Sequence, residues 1–167
     1  MLVQQPGMAD GMTRVIEYSL HGAGWAQGAV VLDGRRITLD ASYIHDTFRD
    51  IVEALRAACE GQEAVEWVYF HEPTSTHVYL TRADCRRVIT LRRFPDFRSR
   101  RPRLGHPGTL IAEGEVLLRQ LVSDVIIAGS RIVDAHGEHG YLQSWGHPFP
   151  TRAFADLREL RRNSPLL

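Results

Sequence analysis

The spacing of apolar and polar residues along this chain predicts seven strands and three helices. From residue 14 to residue 20, apolar and polar positions alternate with the period of two that is typical of a half-buried strand. Two more strand-like runs, 26–32 and 35–39, are joined by Asp33-Gly34. This dipeptide favours a type I′ hairpin turn, whose two central residues both need positive φ. We therefore expect three antiparallel strands before residue 40.

After residue 40 the apolar spacing becomes helical. Either Asp40 or Ser42 can cap the first turn of this helix, and Gly61 is placed to end it. The opposite side of the same helix carries carboxylates at helical spacing, which we interpret as a solvated outer face. The apolar side consists of Ile44, Phe48, Ile51, Leu55 and Cys59, and the acidic side of Asp46, Asp50, Glu53 and Glu60.

The second half of the chain predicts four strands and then two helices. No strand alternates with a helix in the way that a parallel sheet requires. The predicted fold class is therefore α+β, an antiparallel sheet in the order β-β-β-α-β-β-β-β-α-α with the helices packed on one face. The predicted strands are 64–70, 77–80, 85–94 and 109–115, and the predicted helices are 116–135, ended by Gly137, and one that begins at Pro150.

Length and composition bound the protein as a whole. A chain of 167 residues with 44% hydrophobic content suits one ordinary domain. We assign residues 13–167 to this single α+β domain and residues 1–12 to a flexible N-terminal tail. The sequence contains neither an apolar run of about 20 residues nor a signal-peptide pattern, so we expect a cytoplasmic protein with no membrane partner.

All 20 basic residues are arginine, and the chain contains no lysine. A GC-rich bacterial genome explains this usage, but the chemical consequence holds whatever the cause. A P-loop lysine on a nucleotide phosphate and a Schiff base to a carbonyl substrate or pyridoxal cofactor are both excluded. We predict no cofactor.

The first candidate site is an arginine-rich connector between two predicted strands. Residues 82–103 contain nine arginines and two aspartates, whereas residues 40–72 contain eight acidic residues and two arginines. Such uneven charge can steer a charged partner or support a homodimer. The alternative is that these arginines pair internally with the acidic helix. The predicted binding residues of the connector are Arg98, Arg100, Arg101 and Arg103.

The second candidate lies near the C-terminus, where Tyr141, Trp145 and His147 belong to an aromatic segment between two predicted helices. These residues either line a groove or pack on the sheet. Nearby, His136, His139 and His147 are weak candidates for a metal site, because their spacing matches no established metal signature. We predict no metal and leave the catalytic residues unknown.

Short residue groups scattered along the chain resemble a family of small bacterial proteins. In size and layout this family is similar to the immunity proteins that neutralise bacterial toxins. The resemblance implies a binding role and transfers no catalytic residues. The residues that carry it are Gly24-Trp25-Ala26, Ser42-Tyr43, Trp67 to Glu72 followed by Pro73, Gly140-Tyr141, and Trp145 to Pro150.

The leading expectation for function is a non-enzymatic intracellular binding protein, an immunity protein among the options, that engages another protein through charged surfaces. The alternative is a small enzyme or small-molecule binder that uses a groove around Trp145, with His147 or His139 as a general base or metal ligand. A third hypothesis is nucleic-acid binding through the arginine connector. The overall neutrality of the chain argues against this third hypothesis.

Overall fold

The computed structural model describes residues 14–83, 86–95 and 107–164. It confirms the predicted order of elements. The strands are β1 Ile16–Gly22, β2 Trp25–Leu32, β3 Arg35–Ser42, β4 Ala64–Phe70, β5 Ser75–Ala83, β6 Arg86–Phe94 and β7 Thr109–Val116, and the helices are α1 Thr47–Cys59, α2 Leu118–Trp145 and α3 Thr151–Asn163.

The α+β class is confirmed, but the strands form two antiparallel sheets and not one. The first sheet has the order β1-β2-β3 and the second has the order β4-β5-β6-β7. Tyr69 of the second sheet packs directly on Gly28 of the first, so the two inner faces meet in a common core. At the predicted hairpin turn, Asp33 and Gly34 both have positive φ, of 49° and 76°.

Helices α2 and α1 lie against β1 and β4, which are edge strands of the two sheets. On α2, Asp124 is buried and accepts hydrogen bonds from the backbone N–H groups of Val15 and Ile16, beside β1. At the start of α1, the Thr47 hydroxyl donates to the carbonyl of Val68 in β4. Burial raises the pKa of Asp124, and these hydrogen bonds partly oppose that rise. Each sheet edge thus gains polar partners from a helix.

Helix α1 begins later than predicted. Its N-cap is Asp46, whose side chain accepts from the Arg49 N–H, and neither Asp40 nor Ser42 caps it. Asp40 belongs to β3, and the Ser42 hydroxyl is bonded to Glu72 instead. The C-terminal end of the helix is held by buried Arg87, which donates to the carbonyl of Ala58.

Helix α2 extends ten residues beyond the predicted end at residue 135. Gly137 does leave helical geometry, with φ 65° and ψ 170°, but the helix resumes after it. It ends at Gly146, which adopts the left-handed conformation that glycine favours at a helix C-terminus. The aromatic segment from Tyr141 to Trp145, predicted to be a loop, is therefore helical.

Within the described residues, no helix has the length and apolar content needed to cross a membrane. Cys59 is buried as predicted, and burial raises the pKa of its thiol to about 11. Cys85 lies outside the described residues.

Candidate functional site

The four connector arginines that were predicted to bind, Arg98, Arg100, Arg101 and Arg103, lie outside the described residues. Three other arginines of the same basic run have internal partners. Arg86 pairs with Glu115 at 3.3 Å, Arg87 donates to the carbonyls of Ala58, Gln62 and Glu63, and Arg92 donates to the carbonyls of Pro107 and Gly108. A charge count over residues 82–103 therefore overstates the positive charge available to a partner.

The aromatic residues Tyr141 and Trp145 belong to the core, and the side chain of each is 0% exposed. The Trp145 indole N–H donates to the Asp46 carboxylate over 3.1 Å. Neither ring is accessible to a ligand, so the two side chains pack the core and do not line an open groove. Of the three residues predicted to bind in this segment, His147 is partly exposed.

The three histidines proposed as weak metal candidates do not come together. His136 and His139 are exposed residues on either side of the Gly137 break in α2, whereas the His147 Nε2–H donates to the carbonyl of Tyr43 over 2.6 Å. Within residues 14–83, 86–95 and 107–164, no group of three or more His, Cys, Asp or Glu side chains is arranged to hold a metal ion.

The structure instead exposes a set of large apolar side chains near the end of the first sheet where the β1–β2 turn lies. They come from that turn, from the β3–α1 loop and from the last turn of α2. Sequence reasoning did not select Trp25, Tyr43, Ile44 or Leu142 as site residues. We call these four the exposed apolar cluster: Trp25 is 40% exposed, Tyr43 54%, Ile44 48% and Leu142 43%.

Backbone hydrogen bonds fix the three segments that carry the exposed apolar cluster. The Gly24 N–H donates to the carbonyl of Ser144 over 2.9 Å, and the Tyr43 N–H donates to the carbonyl of Gly24 over 2.8 Å. Together with the bond from His147 to the Tyr43 carbonyl, these contacts tie the β1–β2 turn, the β3–α1 loop and the end of α2 to one another. The cluster is therefore preorganised, which reduces the entropy lost when a partner binds.

Gly24 allows the close approach of Tyr43. A Cβ at position 24 would lie 2.7 Å from Tyr43 Cδ1, so the ring can rest there only because Gly24 has no side chain. On the other side, the position of a Cβ at Gly146 lies 3.8 Å from Tyr43 Cδ2. Leu142 is one helical turn before Gly146 and shares its side of α2. Tyr43 thus lies between Gly24 of the β1–β2 turn and Gly146 at the end of α2.

Polar side chains around the exposed apolar cluster are held by neighbouring groups. The Ser42 hydroxyl donates to the Glu72 carboxylate, and His45 Nε2 contacts the Asp50 carboxylate. Ser42 directly precedes Tyr43 in the chain, and His45 directly follows Ile44. The two contacts fix two carboxylates beside the cluster.

Three of the four carboxylates on the acidic side of α1 pair with arginines of the same helix. Arg49 pairs with Asp46 at 3.1 Å, and Arg56 pairs with Glu53 at 3.0 Å and with Glu60 at 2.9 Å. The expectation of a wholly solvated acidic face is wrong for Asp46, whose carboxylate is largely buried. Because the helix supplies its own cations, its carboxylates do not depend on arginines from the connector.

His71, in the turn that contains Glu72, makes the stability of this region depend on pH. Burial lowers the pKa of His71 below its ordinary value of 6.5, Arg93 lowers it further, and Asp40 partly opposes both effects. The unfolded chain therefore binds the proton more readily than the folded chain does. It follows that the free energy of unfolding is fully retained above pH 6.5 and falls as the pH drops below that value.

Replacing His71 with glutamine should flatten this pH dependence, because glutamine does not titrate and can keep the contact that His71 Nε2 makes with the Thr76 hydroxyl over 2.8 Å. Urea unfolding of both proteins between about pH 7.5 and pH 5 measures the effect. The wild-type protein should lose more stability than His71→Gln over this range. Equal losses would contradict the assignment.

Five of the residues that carried the family resemblance lie at this end of the molecule. Gly24, Trp25, Ser42 and Tyr43 belong to the bonded segments described above, and Glu72 is the partner of Ser42. These residues are scattered along the chain, and the contacts that bring them together join distant segments, so local sequence patterns did not predict their proximity. Comparisons with protein-family models, curated proteins and solved structures give no match for this chain.

Proposed function

We propose that this chain is a binding protein that recognises another protein through the exposed apolar cluster. The observation that carries the proposal is the exposure of Trp25, Tyr43, Ile44 and Leu142 on segments that are hydrogen-bonded to one another. Tryptophan and tyrosine are the residues most enriched at the energetic centres of protein interfaces. The resemblance to immunity proteins supplies a narrower form of the same proposal, in which the partner is a bacterial toxin.

The arginine connector remains a second predicted contact surface, and nucleic acid remains a less favoured ligand for it. The small-enzyme alternative gains no support from the described residues, because Tyr141 and Trp145 are buried and His147 is bonded to a backbone carbonyl. A binding role therefore accounts for more of the described surface than the other hypotheses do.

The test is capture of partners by the tagged full-length protein from the lysate of its own host, followed by native mass spectrometry and measurement of Kd for the purified partner. Trp25→Ala and Tyr43→Ala should each raise Kd by about 30-fold, the effect of losing a central interface residue. Leu110→Ala is the matched control, because Leu110 is an equally exposed apolar residue on β7. It should leave Kd unchanged.

A further variant distinguishes the exposed apolar cluster from the arginine connector as the contact surface. If replacing Arg98, Arg100, Arg101 and Arg103 with alanine abolished capture while Trp25→Ala and Tyr43→Ala left it intact, the exposed apolar cluster would not be the contact surface. Loss of capture in the aromatic variants alone, with their stability unchanged, would support the proposal. Circular dichroism and urea unfolding of each variant provide the stability check.

A further inference from the structure

Trp25 shares one face of the first sheet with Asp40 and with Ser42, whose hydroxyl is bonded to the Glu72 carboxylate. In the pairing of β2 with β3, Trp25 is opposite Ser42 and Gln27 is opposite Asp40. Side chains two residues apart on a strand share a face, so all four side chains project from the same side. The Ser42 hydroxyl bonds to Glu72, and Gln27 Nε2 donates to the Asp40 carboxylate over 3.0 Å. Both carboxylates are thereby held on the face that carries the exposed indole.

The chain segments at this end of the molecule carry a net negative charge. The segments that form this end of the molecule are residues 21–27, 40–50, 71–73 and 141–148, and together they contain four acidic residues and one arginine. That arginine, Arg49, is bonded to the Asp46 carboxylate and to the carbonyl of Pro148. In the described structure no arginine from these segments is bonded to Asp40, Glu72 or Asp50, although Arg93 of β6 lies near enough to His71 to lower its pKa, and His45 contacts the Asp50 carboxylate.

From this arrangement we infer that the exposed apolar cluster receives a lysine- or arginine-bearing segment of a different protein. The inference rests on the proposed function and specifies the chemistry of the partner. A cation placed over the face of Trp25 is attracted by the indole ring, and it pairs at the same time with a fixed carboxylate beside that ring. An acidic segment would be repelled by the same carboxylates.

Trp25 itself reports on this binding. The other two tryptophans, Trp67 and Trp145, are buried, so changes in fluorescence on adding a peptide arise at Trp25. The probes are a nonapeptide of alternating lysine and alanine and its counterpart of alternating glutamate and alanine. The lysine peptide should change the emission saturably and bind more weakly at high salt, whereas the glutamate peptide should produce no saturable change.

A variant that neutralises the Asp40 and Glu72 carboxylates tests whether they attract the lysine peptide. The combined substitutions Asp40→Asn and Glu72→Gln keep an acceptor oxygen for Gln27 and for Ser42, so the fold should be retained. They should raise Kd for the lysine peptide by about tenfold. Glu113→Gln is the control, because it removes one charge from β7 and keeps an acceptor for the Thr90 hydroxyl. It should leave Kd unchanged.

Equal binding of the two peptides, or a lysine-peptide Kd that is unchanged in the Asp40→Asn, Glu72→Gln variant, would overturn the inference. If Trp25→Ala still abolished capture of a partner, the proposed function would stand and only the partner chemistry would be wrong. Sedimentation over a range of protein concentrations tests whether the chain forms a dimer. A dimer that Trp25→Ala dissociates would identify a second copy of this chain as the occupant and overturn the inference of a different partner.

Discussion

Replacing Asp46 with alanine should lower the free energy of unfolding by about 3 kcal/mol. The Asp46 carboxylate caps α1 through the Arg49 N–H, accepts the Trp145 indole N–H over 3.1 Å and pairs with the Arg49 side chain. Loss of an N-cap costs about 1 kcal/mol, and a buried indole N–H left without an acceptor costs about 1–3 kcal/mol. Urea unfolding followed by circular dichroism measures the change as a shift in midpoint at constant m-value.

A double-mutant cycle isolates the bond between Asp46 and Trp145. In a Trp145→Phe background there is no indole N–H to satisfy, so Asp46→Ala should cost about 1–2 kcal/mol less than it does in the wild-type protein. Glu53→Ala is the control on the same helix, because its partly exposed pair with Arg56 should be worth less than 1 kcal/mol. Additive costs for Asp46→Ala and Trp145→Phe would show that the two side chains do not act together.

This network links the core to the proposed binding surface. Asp46 directly follows the segment from Tyr43 to His45, and Trp145 directly precedes Gly146, over which the Tyr43 ring lies. The bond between Asp46 and Trp145 therefore joins the bases of two of the three segments that carry the exposed apolar cluster. Under the proposed function, buried Trp145 positions the cluster through this bond and does not itself touch a partner.

Local patterns in the sequence predicted the elements well, because burial of one side imposes a period on each of them. The β1–β2–β3 unit follows from alternation and from Asp33-Gly34, whose positive φ values suit the short turn. What such patterns do not contain is the arrangement of sheets. Whether β3 and β4 join one sheet or belong to two depends on side-chain packing across the core, such as Tyr69 on Gly28.

The predicted helix boundaries were wrong where contacts between distant segments outweighed the local sequence signals. Serine commonly caps helices, but the Ser42 hydroxyl is bonded to the Glu72 carboxylate and accepts the N–H of Ile44 in the loop to Asp46. Gly137 is a good stop signal and it does break the helical geometry. The helix resumes because Tyr141 and Trp145, about one and two turns later, gain a buried environment, and this burial outweighs the local preference.

The candidate site could not be predicted from the sequence. The residues next to an aromatic residue in the chain do not determine whether its side chain is exposed in the fold. Trp25 and Trp67 both occur in strands of apolar residues, yet Trp25 is partly exposed and Trp67 is buried. Counting charged residues along the chain has a similar weakness, because the count does not show which of them are exposed. Arg87 was counted as surface charge, although it lies inside the protein with backbone carbonyls as partners.

Gly28→Ala should destabilise the protein by about 3 kcal/mol, because the contact between the two sheets has no room for a methyl group. A Cβ at position 28 would lie 2.6 Å from Tyr69 Cε1 and 2.7 Å from the Tyr69 hydroxyl oxygen. Tyr69 is fully buried, so its ring cannot turn away without displacing other core side chains. The added methyl must therefore push the sheets apart or strain the ring, and thermal and urea unfolding should both report the loss.

Gly114→Ala is the matched control for this prediction. Gly114 is also a strand glycine that faces the other sheet, but a Cβ there would lie 3.4 Å from Leu32 Cδ2, which is an ordinary contact. It should change stability by no more than about 0.5 kcal/mol. In a Tyr69→Leu background the ring that obstructs position 28 is gone, so Gly28→Ala should cost less than it does in the wild-type protein. An equal cost in both backgrounds would place the strain in β2 itself and not in the contact between the sheets.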